Sequence, residues 1–173
     1  MPQDFRHDPH FTEGFADPSP YPKLAVQHPN AAYAALLAED CSGPAGEITA
    51  CMQYVYHHTV ERDYPDAAAA MEKIAVVEMF HMQELSSAIV LLGGTPDFSV
   101  CGRYWCADSV LFGNSLGEAL HLDLASEYAA IRNYQRHIRQ IEDTGIRALL
   151  QRILLDERLH VRIFQALIRQ YGV

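Results

Sequence analysis

Read at about 100° per residue, the chain resolves into amphipathic stretches punctuated by proline and glycine. Apolar residues recur at three- and four-residue spacing over 44–62, 65–92, 115–143 and from about 146 to the C-terminus, with a shorter helix predicted over 31–40. Ser42-Gly43-Pro44 reads as a break followed by a helix start with proline in its first turn, and Asp63-Tyr64-Pro65 repeats the device. Gly93-Gly94-Thr95-Pro96 stops the third stretch, Ser115-Leu116-Gly117-Glu118 has the form of a capping box, and Thr144-Gly145 predicts a tight turn.

The connections predict a topology. Short breaks near 63–65 and 143–145 make the long helices antiparallel neighbours in pairs. A helix of about 27 residues is about 40 Å long, and the roughly 20 irregular residues between the second and third long helices can span that length. The fold class expected is therefore all-α: a four-helix bundle of two antiparallel hairpins joined by one long crossover. Residues 1–29 read as a separate N-terminal arm, since Pro2, Pro9, Pro18, Pro20, Pro22 and Pro29 forbid a useful helix, and Phe5, Phe11, Phe15 and Tyr21 suit it to lie against a surface. Residues 30–173 make the bundle domain.

Six polar residues interrupt the apolar stripes. Met71, Ile74, Met82, Leu85 and Ile89 lie within about 40° of Glu78; Leu150, Ile153, Val161, Phe164 and Ile168 surround Glu157 in the same way. Leu116, Leu120, Leu124, Ile131 and Tyr134 flank Glu127, and Cys51 and Tyr54 flank Glu47. His81 and His160 stand three residues after Glu78 and Glu157, so each pair leaves its helix from one face. A carboxylate buried without a partner costs several kcal/mol even after relaxation. Two divalent cations would neutralise four such groups and leave two neutral imidazoles as terminal ligands. Mixed oxygen and nitrogen donors without thiolate suit iron or manganese, and do not suit structural zinc.

Composition narrows the function classes. The 173 residues suffice for one domain, and 49% hydrophobic with 20% charged residues is ordinary for a globular protein. The net charge of −9 carries no basic stripe and argues against nucleic acid. Met1 to His10 lacks the apolar core of a signal peptide, and the longest uninterrupted apolar run, Ala88 to Leu92, is too short for a membrane span. Cys41, Cys51, Cys101 and Cys106 contain no CxxC pair and read as reduced thiols of a cytoplasmic protein; a local bridge or soft-metal site at Cys101 and Cys106 is the alternative.

On these residues the chain resembles the ferritin-like di-metal carboxylate superfamily, that of bacterioferritins, rubrerythrins and manganese catalases. A glutamate from each of two helices and Glu-x-x-His from each of the other two is its arrangement, and the stretch from Asn30 to Tyr56, with Gly43-Pro44-Ala45-Gly46-Glu47, is similar to manganese-catalase-like proteins of spore coats. The resemblance implies that Glu78 and Glu157 bridge two metals, with Glu47 and His81 completing one and Glu127 and His160 the other. It implies two iron ions, or two manganese ions as the alternative. Tyr54 matches a tyrosine beside the cluster that hydrogen-bonds a ligand or supplies an electron, a satisfied core hydroxyl being the alternative. Asp123 and Asp156 are candidates to orient the ligand histidines. The activity implied is oxidation by dioxygen or hydrogen peroxide at a di-iron site (ferroxidase or peroxidase), with ferrous ions or an electron-donor protein as reductant. Dimanganese catalase is the alternative, and a metal-storage or spore-associated structural protein a third. A homodimer is expected.

The chain also departs from those relatives. It has no CxxC pair for a rubredoxin module, no fifth helix after Val173 for a bacterioferritin cage, and Ala130 where rubrerythrins carry an extra glutamate. Met79 falls at the haem-ligating methionine of bacterioferritins, where packing is the simpler explanation. His58 shares the Glu47 face; His57 ends its helix, and His7, His10, His28, His121 and His137 read as surface residues.

Overall fold

A computed structural model describes residues 11–173 of the chain; Pro2, Phe5, His7, Pro9 and His10 of the arm lie outside the described residues. Helices α1 (Ala31–Ser42), α2 (Glu47–Val60), α3 (Pro65–Leu91), α4 (Leu116–Gln140) and α5 (Thr144–Tyr171) account for most of it. α2 packs chiefly on α3 and α4 on α5, two antiparallel hairpins, and α1 lies across α3. The crossover from 92 to 115 carries a small hairpin, β1 (Ser99–Val100) and β2 (Arg103–Tyr104), and one turn of 3₁₀ helix. The all-α bundle with one long crossover is thus the fold the hydrophobic pattern predicts.

Capping chemistry sets the ends, and moves three of the expected ones. α2 starts at Glu47, because Gly43 to Gly46 form a turn and Gly46 takes the cap position. A Cβ on Gly46 would sit 2.6 Å from the Asp40 carbonyl oxygen and 2.8 Å from the Gly43 nitrogen, so this turn requires glycine. α4 ends at Gln140, where Ile141 turns extended, and the connection is 141–143 with Asp143 capping α5 rather than a turn at Thr144-Gly145. Asp143 accepts from the Gly145 and Ile146 N–H groups and also from Gln27 N–H, tying the arm to the helix start. The Ser115 hydroxyl accepts from Glu118 N–H, but the Glu118 carboxylate returns to Asn114 N–H, one residue before the cap.

The core has two halves with a polar layer between them. Leu37, Leu85, Ile89, Tyr134, Ile146, Leu149, Leu150 and Ile153 fill one half, and Tyr54, Met71, Ile74, Leu120, Phe164 and Leu167 the other. On α3, α4 and α5 the residues between these clusters are Glu78 with His81, Glu127, and Glu157 with His160, all buried. α3 is long and apolar enough by length and composition to cross a bilayer. It nevertheless packs against α1, α2 and α5 and buries Glu78 and His81 at its middle, as the core helix of the bundle.

The turn before α2 positions the first glutamate, so its steric demand is testable. Gly46→Ala should lower unfolding free energy by about 1–3 kcal/mol, the usual cost of forced overpacking. Urea denaturation measures it, and an unchanged midpoint would show that the turn relaxes freely.

Candidate metal centre

Each helix of the bundle brings its share of the polar layer from a different direction. α2 supplies Glu47 at its first turn, α4 supplies Glu127, and α3 and α5 supply the two Glu-x-x-His pairs. His81 Nδ1 lies 2.9 Å from Glu78 Oε2, 3.2 Å from Glu157 Oε1 and 3.5 Å from Glu47 Oε2. His160 Nδ1 lies 2.9 Å from Glu78 Oε1, 3.6 Å from Glu127 Oε2 and 3.9 Å from Glu157 Oε2. Glu78 and Glu157 therefore each turn one oxygen toward one imidazole and the other oxygen toward the second. Two overlapping sets result, Glu47, Glu78, His81, Glu157 and Glu78, Glu127, Glu157, His160, with donor atoms within 4.8 Å of one another in each set. That spacing can hold one ion per set, two carboxylates being common to both.

The electrostatics of the cluster are those of crowded buried acids favouring positive charge beside them. Burial and the nearby Glu78 push the Glu47 and Glu157 carboxyls well above the ordinary range. Burial would also raise Glu78, but His160 and His81 outweigh it and hold that carboxyl below the usual range. Burial alone would lower both imidazoles, yet the acids around them carry His81 and His160 well above the ordinary value. These opposed shifts are what closely packed buried acids and imidazoles impose on one another. Glu78 Oε1, Glu157 Oε1 and His160 Nδ1 are buried without a well-aligned hydrogen bond, although His160 Nδ1 lies 2.9 Å from Glu78 Oε1 and His81 Nδ1 3.2 Å from Glu157 Oε1.

Two tyrosines steady the outer carboxylates. The Tyr54 hydroxyl on α2 donates to Glu127 Oε1 at 2.6 Å, and the Tyr134 hydroxyl on α4 donates to Glu47 Oε1. Burial, with Glu127 alongside, raises the Tyr54 phenol well above its usual value and keeps the proton on oxygen. Tyr134 follows Glu127 by seven residues, as Tyr54 follows Glu47; that repeated spacing is the signal that could have singled it out.

The two aspartates separate. Asp156 Oδ2 accepts from His81 Nε2–H at 3.0 Å, next to the cluster. Asp123 instead binds His57 Nδ1 at 2.7 Å and Gln53 Nε2 at 2.9 Å, and reaches neither His81 nor His160. The Gly113 N–H donates to His57 Nε2 and the Leu111 N–H to Gln53 Oε1, so this group anchors the crossover on α2 and α4. His57 is accordingly buried, and so is His137, read from sequence as surface: its Nδ1 meets Asp40 Oδ2 at 2.7 Å. Burial raises the Asp40 carboxyl to about 6. His58 is half-buried and bonds the Ala68 carbonyl; His28 and His121 are exposed. The Phe15 carbonyl, which accepts from His160 Nε2–H at 2.9 Å, had no signal in the sequence. Cys101 and Cys106 are exposed free thiols.

A cavity of about 10 Å³ touches all four glutamates, walled by Pro44, Ala45, Gly46, Ala50, Tyr54, Ser126 and Ala130. That is space for about one water-sized molecule, and the small side chains at 45, 46, 50 and 130 leave it open.

A family model for the ferritin-like domain matches residues 45–171. A bacterioferritin of Mycobacterium bovis is 31% identical over 120 residues, 66% of this chain and 72% of the relative. A probable manganese catalase of Clostridium acetobutylicum is 27% identical over 183 residues, 93% of this chain and 78% of the relative. Among solved structures, the manganese catalase KatB of Anabaena superposes with a TM-score of 0.83 at 22% identity, covering 90% of this chain and 80% of that one, a likeness of fold alone. The bacterioferritin BfrA of Mycobacterium tuberculosis gives 0.69 at 26% identity, covering 83% and 87%.

Because Glu47, Glu157, His81 and His160 all retain protons more tightly than usual, a divalent cation entering the cluster must displace protons. Titration of the metal-free protein with manganese(II) in weak buffer should release acid. The apparent affinity should fall roughly tenfold per pH unit lowered for each proton displaced. A pH-independent affinity between pH 6 and 8 would show that the cation binds elsewhere.

Proposed function

The chain belongs to the ferritin-like domain family, and from that premise we propose that it is an oxidoreductase whose dinuclear metal centre reacts with dioxygen or hydrogen peroxide. The observation that carries this reading is the division of labour in Glu78 and Glu157, each with one oxygen toward His81 and one toward His160. Glu47 and His81 would complete one metal position, Glu127 and His160 the other, with Glu78 and Glu157 between them. Glu78 Oε1, Glu157 Oε1 and His160 Nδ1, buried close to other donor atoms of the cluster without a well-aligned hydrogen bond, fit a group that accepts electron pairs, and the oxygen and imidazole donor set fits iron or manganese.

When bound, the two metals supply paired one-electron changes, so that an oxidant can take two electrons without releasing a radical. The chain's own residues prepare for that. Four carboxylates offset the charge of two divalent ions, and the dry apolar clusters above and below strengthen each interaction at the site. Tyr54 and Tyr134 donate to Glu127 and Glu47 and restrict which oxygen of each faces inward. The small cavity beside Ala130 and Gly46 has room for about one water-sized molecule, which closes the site to organic substrates.

In the first reading the metal is iron, and electrons come from ferrous ions or from an external donor protein. Dimanganese catalase is the second reading, favoured by one observation: the likeness to the probable manganese catalase runs over 93% of the chain. Storage of metal in a larger assembly is the third, and a homodimer would count against it.

Metal analysis of the variants tests the site, and two assays divide the readings. The wild-type chain should bind two ions; Glu47→Gln and Glu127→Gln should each retain about one, and Glu78→Gln should weaken both. With iron, consumption of dioxygen in step with ferrous oxidation supports the first reading. With manganese, oxygen release from peroxide supports the second. Fewer than one ion bound per wild-type chain, under conditions that saturate, overturns both.

A further inference from the structure

The arm forms a series of contacts with the outer side of the cluster that a segment merely covering an apolar face does not require. Both ligand imidazoles are buried, and each must place its second nitrogen. His160 donates from Nε2 to the Phe15 carbonyl at 2.9 Å. His81 donates from Nε2 to Asp156 Oδ2 at 3.0 Å, and Asp156 is itself held by the arm. The Asp17 N–H donates to Asp156 Oδ1 at 2.6 Å and the Tyr21 hydroxyl to Asp156 Oδ2 at 2.7 Å. Arg152 fastens the same stretch: its Nε donates to the Ser19 carbonyl at 2.7 Å, its Nη2 to the Asp17 carbonyl at 2.6 Å, and its Nη1 lies 2.8 Å from Asp156 Oδ2. The guanidinium stands 4.1 Å from the centre of the Tyr21 ring, which meets Phe80 edge-on, and Lys73 Nζ lies over the Phe15 ring.

We propose that residues 15–21 of the arm are a positioning strap for both histidines of the dinuclear site, engaging each Nε2–H so that Nδ1 is the atom facing the carboxylates. The proposal rests on the reading that His81 and His160 are metal ligands. In the strap, Phe15 acts directly through its carbonyl, while Asp17, Tyr21 and Arg152 act through Asp156. An imidazole free to turn presents either nitrogen, or none, to an ion; one whose outer N–H is engaged presents a single orientation. The strap is held by these discrete bonds and by the packing of Phe15 and Tyr21 on the two apolar clusters, with an open cleft of about 820 Å³ beside it lined by Gly14, Pro18, Phe80, Arg152 and Arg162. Loss of Arg152 should therefore free it without dismantling the bundle.

The test uses the full chain as wild type, Arg152→Ala and Tyr21→Phe, the last removing one hydroxyl and keeping the ring. Two readouts are taken: exchange protection of the imidazole Nε2–H protons in ¹⁵N spectra of the metal-free protein, and manganese(II) affinity from the free-ion EPR signal. In wild type both Nε2–H protons should be protected. In Arg152→Ala both should lose protection, and affinity should fall about 10–100-fold, the usual effect of removing outer hydrogen bonds from metal ligands. Tyr21→Phe should give a smaller loss confined to the His81 proton and to one of the two ions. Should Arg152→Ala fail to keep wild-type helix content by circular dichroism, Tyr21→Phe decides alone. Unchanged proton protection and unchanged affinity in a folded variant overturn the strap. If wild type binds no manganese(II) while the protons respond as stated, the strap stands and the metal reading falls.

Discussion

Four carboxylates in the middle of a helical core are the constraint around which this molecule is arranged. Glu47, Glu78, Glu127 and Glu157 are all buried between two apolar clusters. Removing one charge from such a set relieves its neighbours, and burial with mutual repulsion raises Glu47 and Glu157 above the ordinary range while the surrounding acids raise both imidazoles. A buried network of acids and imidazoles is weak evidence for stability, since apolar residues of similar volume often pack as well or better. Their presence is evidence for something the fold must accommodate. The apolar halves on either side then supply the stability that the polar layer does not.

The cluster is built twice, once from each hairpin. α2 and α3 contribute a lone glutamate and a Glu-x-x-His pair; α4 and α5 contribute the same set. The tyrosine seven residues after each lone glutamate crosses the bundle to the opposite one, Tyr54 to Glu127 and Tyr134 to Glu47. Each hairpin therefore depends on the other for one carboxylate's orientation, and displacing α2 relative to α4 would disturb both candidate metal positions together. The outer shells break this symmetry: His81 reaches the arm through Asp156, while His160 reaches it directly at the Phe15 carbonyl. On that geometry the two imidazoles experience unequal fields, one facing a carboxylate and the other a peptide oxygen.

What was legible in the sequence, and what was not, follows from the range of each interaction. The bundle and the convergence of the six side chains could be read because helical periodicity is local, and a glutamate within an apolar stripe signals burial from its own neighbours. Helix ends were read less well where a side chain rather than a breaker sets them, as when Asp143 starts α5 and also holds Gln27 of the arm. His137 looks like a surface residue, and His57 like a mere helix end, because their partners stand 97 and 66 positions away, at Asp40 and Asp123. Asp123 is drawn from the cluster to the crossover by the same kind of distant pairing. A backbone acceptor such as the Phe15 carbonyl has no residue-type signature at all.

These outer contacts bear on the question the inner ligands leave open. The six donors suit iron and manganese alike, and the relatives include bacterioferritins and manganese catalases. What tunes a metal's potential over a common ligand set is the hydrogen bonding around the ligands. In this chain those bonds come from Tyr54, Tyr134, Asp156 and the arm, and the arm precedes residue 45, where the family match begins. Tyr54, Tyr134 and Asp156 lie within the matched domain and the arm outside it, while the likeness to the probable manganese catalase runs over 93% of the chain. The Phe15 carbonyl is held against the buried imidazole without a helix, by the turn in which the Thr12 carbonyl accepts from the Phe15 and Ala16 N–H groups and by the Asp17 N–H on Asp156.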